Sequence, residues 1–122
     1  MAKNKETTRY SSSVQEKRIA NKLNGKVSSN SGAGLFNKGD IICSDASLLI
    51  ECKTCMEPKK SFSIKRDWIE KNKEESFRLR LDNHVIAFNF YYQDKKDYYI
   101  IDDKLMDFLV KKLEEENDKY GT

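Results

Sequence analysis

Two three-residue apolar runs, Ile41-Ile42-Cys43 and Leu48-Leu49-Ile50, flank four small or polar residues, Ser44-Asp45-Ala46-Ser47. Apolar runs this short, joined by so small a polar loop, fold back on each other as a β-hairpin. A loop symmetric about its middle pairs residues whose numbers sum to 91, which sets Asp40 across from Glu51. Lys53 then lies two residues further along on the same face. Directly opposed carboxylates destabilise a strand pair. The arrangement makes physical sense when a hard divalent cation such as Mg²⁺, which takes oxygen ligands, sits between them. A lysine beside that ion can orient a water or help deprotonate it. The expectation is a metal-dependent phosphodiesterase site built from Asp40, Glu51 and Lys53.

The chain has 122 residues, enough for one domain with a genuine core and too few for two. No apolar stretch approaches the roughly 20 residues of a spanning helix, and the start lacks a signal peptide's apolar region. The expectation is therefore no membrane and a cytoplasmic location, including that of a viral protein acting in a host cytoplasm. Three cysteines, an odd number, argue against a disulfide framework. Net charge is only +3, but it is unevenly spread. Residues 1–26 hold seven Lys/Arg against two Glu, residues 27–80 ten against eight acids, and residues 81–122 six against ten. The positive end coincides with the half that carries the suspected site, where phosphate backbones would be drawn.

Residues 1–11, polar and without apolar periodicity, read as a flexible basic arm ahead of a single domain, 12–122. Ser13-Val14-Gln15-Glu16 fits a capping box that would open a helix over residues 13–24, ending near Asn24-Gly25. Lys26-Val27-Ser28 reads as a short strand, followed by a small, glycine-rich loop over residues 29–39. After Lys53 comes an exposed connection with the only proline, and then a helix over about 65–80 containing Trp68, Ile69 and Phe77. Val85 to Tyr92 is a β-prone run, with Tyr98 to Ile101 as its hairpin partner. Asp102 or Asp103 caps a final helix whose Leu105, Met106, Leu109, Val110 and Leu113 fall at helical spacing. The order is αβββαββα: an α/β fold, a single domain with a mixed central sheet flanked by helices.

With these residues in place, the chain resembles the PD-(D/E)xK nuclease superfamily, and within it the archaeal-type Holliday junction resolvases. The resemblance covers roughly residues 13–102. It rests on Glu16 in the first helix with Lys17 and Arg18 after it, the Ser/Gly loop with Ser29, Ser31 and Gly32, the Gly39-Asp40 strand start, and Glu51-Cys52-Lys53-Thr54. A restriction-endonuclease-like fold, a homodimer with two active sites, and a setting in DNA recombination and repair are what it implies. It also implies that Asp40, Glu51 and the backbone carbonyl of Cys52 bind Mg²⁺ or Mn²⁺, that Lys53 positions the attacking water, and that Glu16 completes the acidic set. Lys17, Arg18, Ser29, Ser31, Lys38, Lys59 and Lys60 would meet DNA. One departure is a helix after Lys53 that reads Ile64-Lys65-Arg66-Asp67-Trp68, without the glutamine usual in related resolvases. Glu16 also has a structural use available, as the fourth residue of the capping box.

Other features carry less. Cys52 and Cys55 form a CxxC, but Cys52 lies inside a strand where a redox motif wants a helix start, and no second CxxC exists to complete a zinc site. His84 reads as a surface or turn histidine, and Trp68 as a core or dimer-interface anchor. Tyr91, Tyr92, Tyr98 and Tyr99 could stack on bases, but a hairpin packing one tyrosine face on the core explains them more cheaply. The function expected is a metal-dependent, structure-selective DNA endonuclease that resolves four-way junctions by paired phosphodiester hydrolysis. The alternatives are a restriction-type or nicking endonuclease, or a non-catalytic nucleic-acid-binding module on the same fold.

Overall fold

The computed structural model describes residues 5–28 and 40–119. Its elements run α1 (Lys5–Leu23), β1 (Lys26–Val27), β2 (Ile41–Cys43), β3 (Leu48–Lys53), α2 (Arg66–Arg78), β4 (Asn83–Phe88), β5 (Tyr98–Ile100) and α3 (Asp103–Lys119). A 3₁₀ turn, Tyr92–Asp94, lies between β4 and β5. The order αβββαββα is that of the sequence reading, and the chain is a small α/β domain with a five-stranded mixed sheet. No helix among the described residues is long and apolar enough to cross a membrane.

The strands lie in chain order across the sheet. β1, β2 and β3 pair antiparallel, β3 and β4 pair parallel through the α2 crossover, and β4 and β5 pair antiparallel. The parallel pair at the centre is covered on both faces, so its side chains are apolar in succession rather than alternately. Leu49 and Ile50 of β3 and Val85, Ile86 and Ala87 of β4 are all buried. Ile41, Cys43, Ile50, Val85 and Ala87 join Ile19 and Ala20 of α1 in one core cluster, and Leu105 of α3 packs against it. Strand alternation turns Ile42, Leu49 and Ile86 to the other face, where α2 packs on β3 and β4.

Three expectations need correcting. Residues 5–11 belong to α1, so the arm read over residues 1–11 is helical from Lys5 on. The docked face of α1 is the stripe Ser11, Gln15, Ile19, spaced four residues apart, with Ala20 beside it. Two of the three stripe residues are polar, so apolar periodicity could not reveal the first half of the helix. Ser13 and Glu16 consequently sit inside the helix and cap nothing. The helix closes near the expected place, with Asn24 left-handed at φ 55° and Gly25 N–H donating to Ala20 O at 2.9 Å. A Cβ on Gly25 would come within 2.7 Å of Ile41 Cγ2 and 2.8 Å of Cys43 Sγ, so glycine lets β1 lie close over β2.

Secondly, the β4 run stops at Phe88. Tyr91 and Tyr92 stand in and before the 3₁₀ turn, and Tyr98 and Tyr99 are exposed rather than packed as a core face. Thirdly, His84 is a half-buried strand residue with Nε2 3.4 Å from Asp102 Oδ2, not a surface or turn histidine. Asp102 itself caps α3, accepting from the Leu105 N–H at 2.9 Å.

Candidate active site

The hairpin register decides which side chains share a face. Ile41 pairs with Ile50, Ile42 with Leu49 and Cys43 with Leu48, the symmetric pairing expected from the four-residue loop. One step beyond the end of β2, the same register sets Asp40 across from Glu51. The backbone there is held by Ser28 N–H, which donates to Asp40 O at 2.7 Å. Strand alternation directs Glu51 and Lys53 to the α2 face and Cys52 to the α1 face, where it packs against the core cluster.

Both carboxylates are withdrawn from water. Asp40 is 2% exposed and Glu51 8%, and Asp40 Oδ2 and Glu51 Oε2 are fully buried oxygens. Burying two like charges opposite each other is costly unless a cation shares them. Lys53 supplies part of that charge, with Nζ 3.4 Å from Glu51 Oε2, near enough for attraction but outside hydrogen-bonding geometry. The same ammonium lies 4.3 Å from the centroid of the Trp68 ring, which α2 lowers over the end of β3. Lys65 Nζ approaches the same ring at 5.7 Å. The lysine is thus steered from two directions while its side chain stays about one-third exposed.

The Cys52 thiol reports how far the acids converge. Burial pushes its pKa far up, and the charges of Glu16, Asp40, Asp97 and Glu51 push it further. Acids of α1, the start of β2, the end of β3 and the β4–β5 connection thus all act on this one thiol, though burial is the larger cause. Glu16, in the middle of α1, is one of the acids that raise the Cys52 thiol, and its alternative use as a helix cap is removed by the earlier start of the helix.

Several supporting residues were not anticipated. Gln15, 1% exposed, donates from Nε2 to Lys53 O at 2.9 Å and to Asp97 Oδ1 at 3.4 Å, tying α1 to the backbone of the suspected catalytic lysine. Asn89 is buried after β4. Its Nδ2 donates to Thr54 Oγ1 at 2.9 Å, and its Oδ1 accepts from Cys55 N–H at 2.9 Å, fixing the turn by which the chain leaves β3. A lone amide inside the aromatic run 85–92 was the available signal for Asn89. The stripe of small or polar residues at 11 and 15 was the signal for Gln15.

The residues expected to meet DNA divide. Lys17 is exposed on α1, and Lys59 and Lys60 are exposed on the connection after β3. That connection is itself tethered, by Lys59 N–H donating to Phe90 O at 2.9 Å. Arg18 is instead committed to Asp97, with Nε to Oδ2 at 2.9 Å and a terminal nitrogen to Oδ1 at 2.8 Å in a largely buried pair. A guanidinium held this way is a brace for the β4–β5 connection rather than a phosphate ligand. Ser29, Ser31 and Lys38 lie outside the described residues.

The donors suit a hard cation. Asp40 and Glu51 offer carboxylate oxygens, and Glu51 Oε2 is buried without a hydrogen bond. Among the described residues no three His, Cys, Asp or Glu side chains are gathered to form a cage by themselves. Mg²⁺ does not need one, since it keeps several waters and is commonly held by one or two carboxylates together with substrate phosphate. The carbonyl of Cys52, between Glu51 and Lys53 in sequence, is the third oxygen the sequence reading assigns. No family model, curated protein or solved structure matches this chain.

Proposed function

We propose that this chain is a Mg²⁺- or Mn²⁺-dependent endonuclease that hydrolyses phosphodiester bonds of branched DNA, cutting four-way junctions with paired nicks. The observation that carries the proposal is the meeting of Asp40, Glu51 and Lys53 on one face at one end of the sheet. Two of the three are buried acids set against each other in a strand pair.

In this reading Asp40 and Glu51, with the carbonyl of Cys52, hold the ion. The ion, when bound, supplies Lewis acidity and lowers the pKa of a water. Lys53 faces the scissile phosphate and stabilises the charge that builds on its non-bridging oxygens, while water attacks in line and the leaving oxygen departs. Trp68 and Glu51 keep the ammonium aimed before substrate arrives, which limits the reorganisation the reaction requires. Gln15 holds the main chain under Lys53, and Glu16 adds a further acid beside the metal carboxylates. Exposed Lys17, Lys59 and Lys60 contact the backbone of the DNA. Exposed lysines meet phosphates rather than base edges, which favours recognition of shape and phosphate positions. Paired cuts require two such sites, hence two copies of the chain.

Labelled four-way junctions, linear duplexes and single strands, each incubated with Mg²⁺ and with chelator, test the reading. Symmetric nicks on the junction alone, dependent on the metal, are expected. Equal cutting of linear duplex would shift the substrate to unbranched DNA and make this a nicking or restriction-type enzyme. Tight metal-independent binding with no product would reduce the chain to a binding module.

A further inference from the structure

We propose that Tyr98 is a stacking surface for an unpaired base of the DNA strand whose phosphate is held at Lys53. The inference rests on the nuclease reading for the role of Lys53, and it names what that reading leaves open, the state of the bases beside the cut.

The strand register places the two residues. Lys53 of β3 pairs with Phe88 of β4, and Phe88 pairs with Tyr98 of β5. Paired residues of neighbouring strands share a face, so Tyr98 lies on the same side of the sheet as Lys53 and Glu51. Two strand spacings, roughly 10 Å, separate it from Lys53. Tyr99, next along β5, pairs with Ala87 and points to the α1 face.

The space between Lys53 and Tyr98 is filled by rings. Trp68, which meets the Lys53 ammonium, has its ring centroid 6.1 Å from that of Phe62. Phe62 stacks on Phe88 at 4.7 Å, with 28° between the planes. Phe88 is 5.7 Å from Tyr98, and Phe90 meets both edge-on, at 5.5 and 5.6 Å. These separations are those of favourable aromatic pairs. Phe62, Trp68, Phe88 and Phe90 are half-buried, whereas Tyr98 closes the row with 44% of its surface exposed. A ring already fixed by aromatic neighbours loses little freedom when a flat partner settles on its open side. Tyr91 and Tyr92 are engaged with each other instead, 5.3 Å apart, with Gln93 bridging their hydroxyls.

The surroundings suit a polyanion. Lys59 and Lys60 are exposed on the connection that Lys59 N–H ties to Phe90 O, and Lys95 and Lys96 are exposed on the turn before β5. Of the acids on these two stretches, Asp97 is neutralised by Arg18, and Glu57 and Asp94 are outnumbered by the four lysines. The Lys96 ammonium stands 5.7 Å from the Tyr98 centroid, at the outer limit of a cation–π contact. A phosphate can therefore draw it away as a base takes the ring. The class of base follows from stacking. In a duplex, neighbours about 3.4 Å apart cover both faces of each base, so an uninterrupted duplex has no face to give. An unpaired base at a branch point, gap or flap does, and aromatic side chains hold such bases with little regard to sequence.

Fluorescence anisotropy of the full chain with labelled oligothymidine and with a blunt duplex of the same length, both in chelator so that no cutting intervenes, tests this. The unmodified chain is expected to bind oligothymidine, and Tyr98→Leu to bind it about tenfold more weakly, the effect of losing one stacked base. Tyr98→Phe, which keeps the ring, is expected to restore the affinity. Tyr99→Leu, on the same strand but the opposite face, is expected to leave it unchanged. Affinity for the blunt duplex is expected to be equal in the unmodified chain and Tyr98→Leu, with matching circular dichroism spectra. Undiminished oligothymidine affinity in Tyr98→Leu, an equal loss on the duplex, a loss shared by Tyr99→Leu, or one that Tyr98→Phe does not recover would each overturn the assignment. Absence of metal-dependent product from any DNA, measured separately, would sink the nuclease reading and leave these affinities as they are.

Discussion

The Lys53 ammonium lies 4.3 Å from the centroid of the Trp68 ring, joining the end of β3 to the start of α2. A lysine on a flexible four-carbon stem gains a fixed direction from an aromatic face, and a cation–π contact of this kind contributes about 0.5–2 kcal/mol depending on solvation. Trp68→Leu removes the ring face while keeping apolar bulk. Cleavage by this variant is expected to slow about tenfold with DNA affinity unchanged, and Trp68→Phe to recover part of the loss. Rates measured under single-turnover conditions check it, and an unaltered rate in Trp68→Leu would show that the ring does not aim the lysine.

Asp40→Asn separates the electrostatic cost of the site from its use. Without metal the opposed acids repel, so neutralising one is expected to stabilise the fold by about 0.2–1 kcal/mol in chelator. With millimolar Mg²⁺ or Mn²⁺ the order reverses. The unmodified chain is expected to gain stability by binding the ion in its folded state alone, and Asp40→Asn is expected not to. If the proposed activity holds, cleavage is expected to be lost in Asp40→Asn and in Lys53→Ala, with junction binding persisting in both. Thermal melts with and without metal make the check without any nuclease assay, and identical metal-induced shifts in the two proteins would remove Asp40 from the ion.

Arg18 and Asp97 form a bidentate pair whose side chains are 15% and 5% exposed. Breaking a mostly buried pair from one side leaves a charge without its counterion, an effect of about 3 kcal/mol. Arg18→Ala is expected to lose about that much stability and to loosen the β4–β5 connection, with a smaller loss in the double variant Arg18→Ala, Asp97→Ala than the two single losses combined. Urea melts of the four proteins give the coupling energy. Additive losses would mean the pair acts as two independent surface residues.

Much of this site was legible because the hairpin is short and symmetric. Once Ile41 to Ile50 is a two-stranded unit with a four-residue loop, only one register keeps both apolar runs together, and that register sets Asp40 against Glu51. The alternation of β3 then fixes Lys53 on the same face. The first half of α1 was hidden because its buried stripe is Ser11, Gln15 and Ile19, and burial of a polar side chain leaves no hydrophobic period to read. The resemblance implies a DNA contact for Arg18, yet its partner Asp97 is 79 residues away, a separation no local pattern encodes. The tyrosine-rich hairpin was overextended for a similar reason. β-propensity marks Tyr91 and Tyr92 as strand formers, but the chain must leave β4 so that buried Asn89 can clamp the turn after β3.

Burial of the Cys52 thiol makes the fold sensitive to alkaline pH, and the neighbouring acids add to the effect. Burial first, and then Glu16, Asp40, Asp97 and Glu51, raise the thiol pKa far above its ordinary value. Burial also raises Cys43 and Tyr99. Below the ordinary thiol pKa of about 8.5 both folded and unfolded chains hold the proton, and the group adds no pH dependence. Above it the unfolded chain releases the proton while the folded chain keeps it, so stability falls by up to about 1.4 kcal/mol per pH unit for the Cys52 thiol. Urea midpoints are expected to decline steadily from about pH 9 upward, and to decline less steeply in Cys52→Ala, which has no thiol to titrate. Equal slopes in the two proteins would show that the Cys52 proton is not what folding retains.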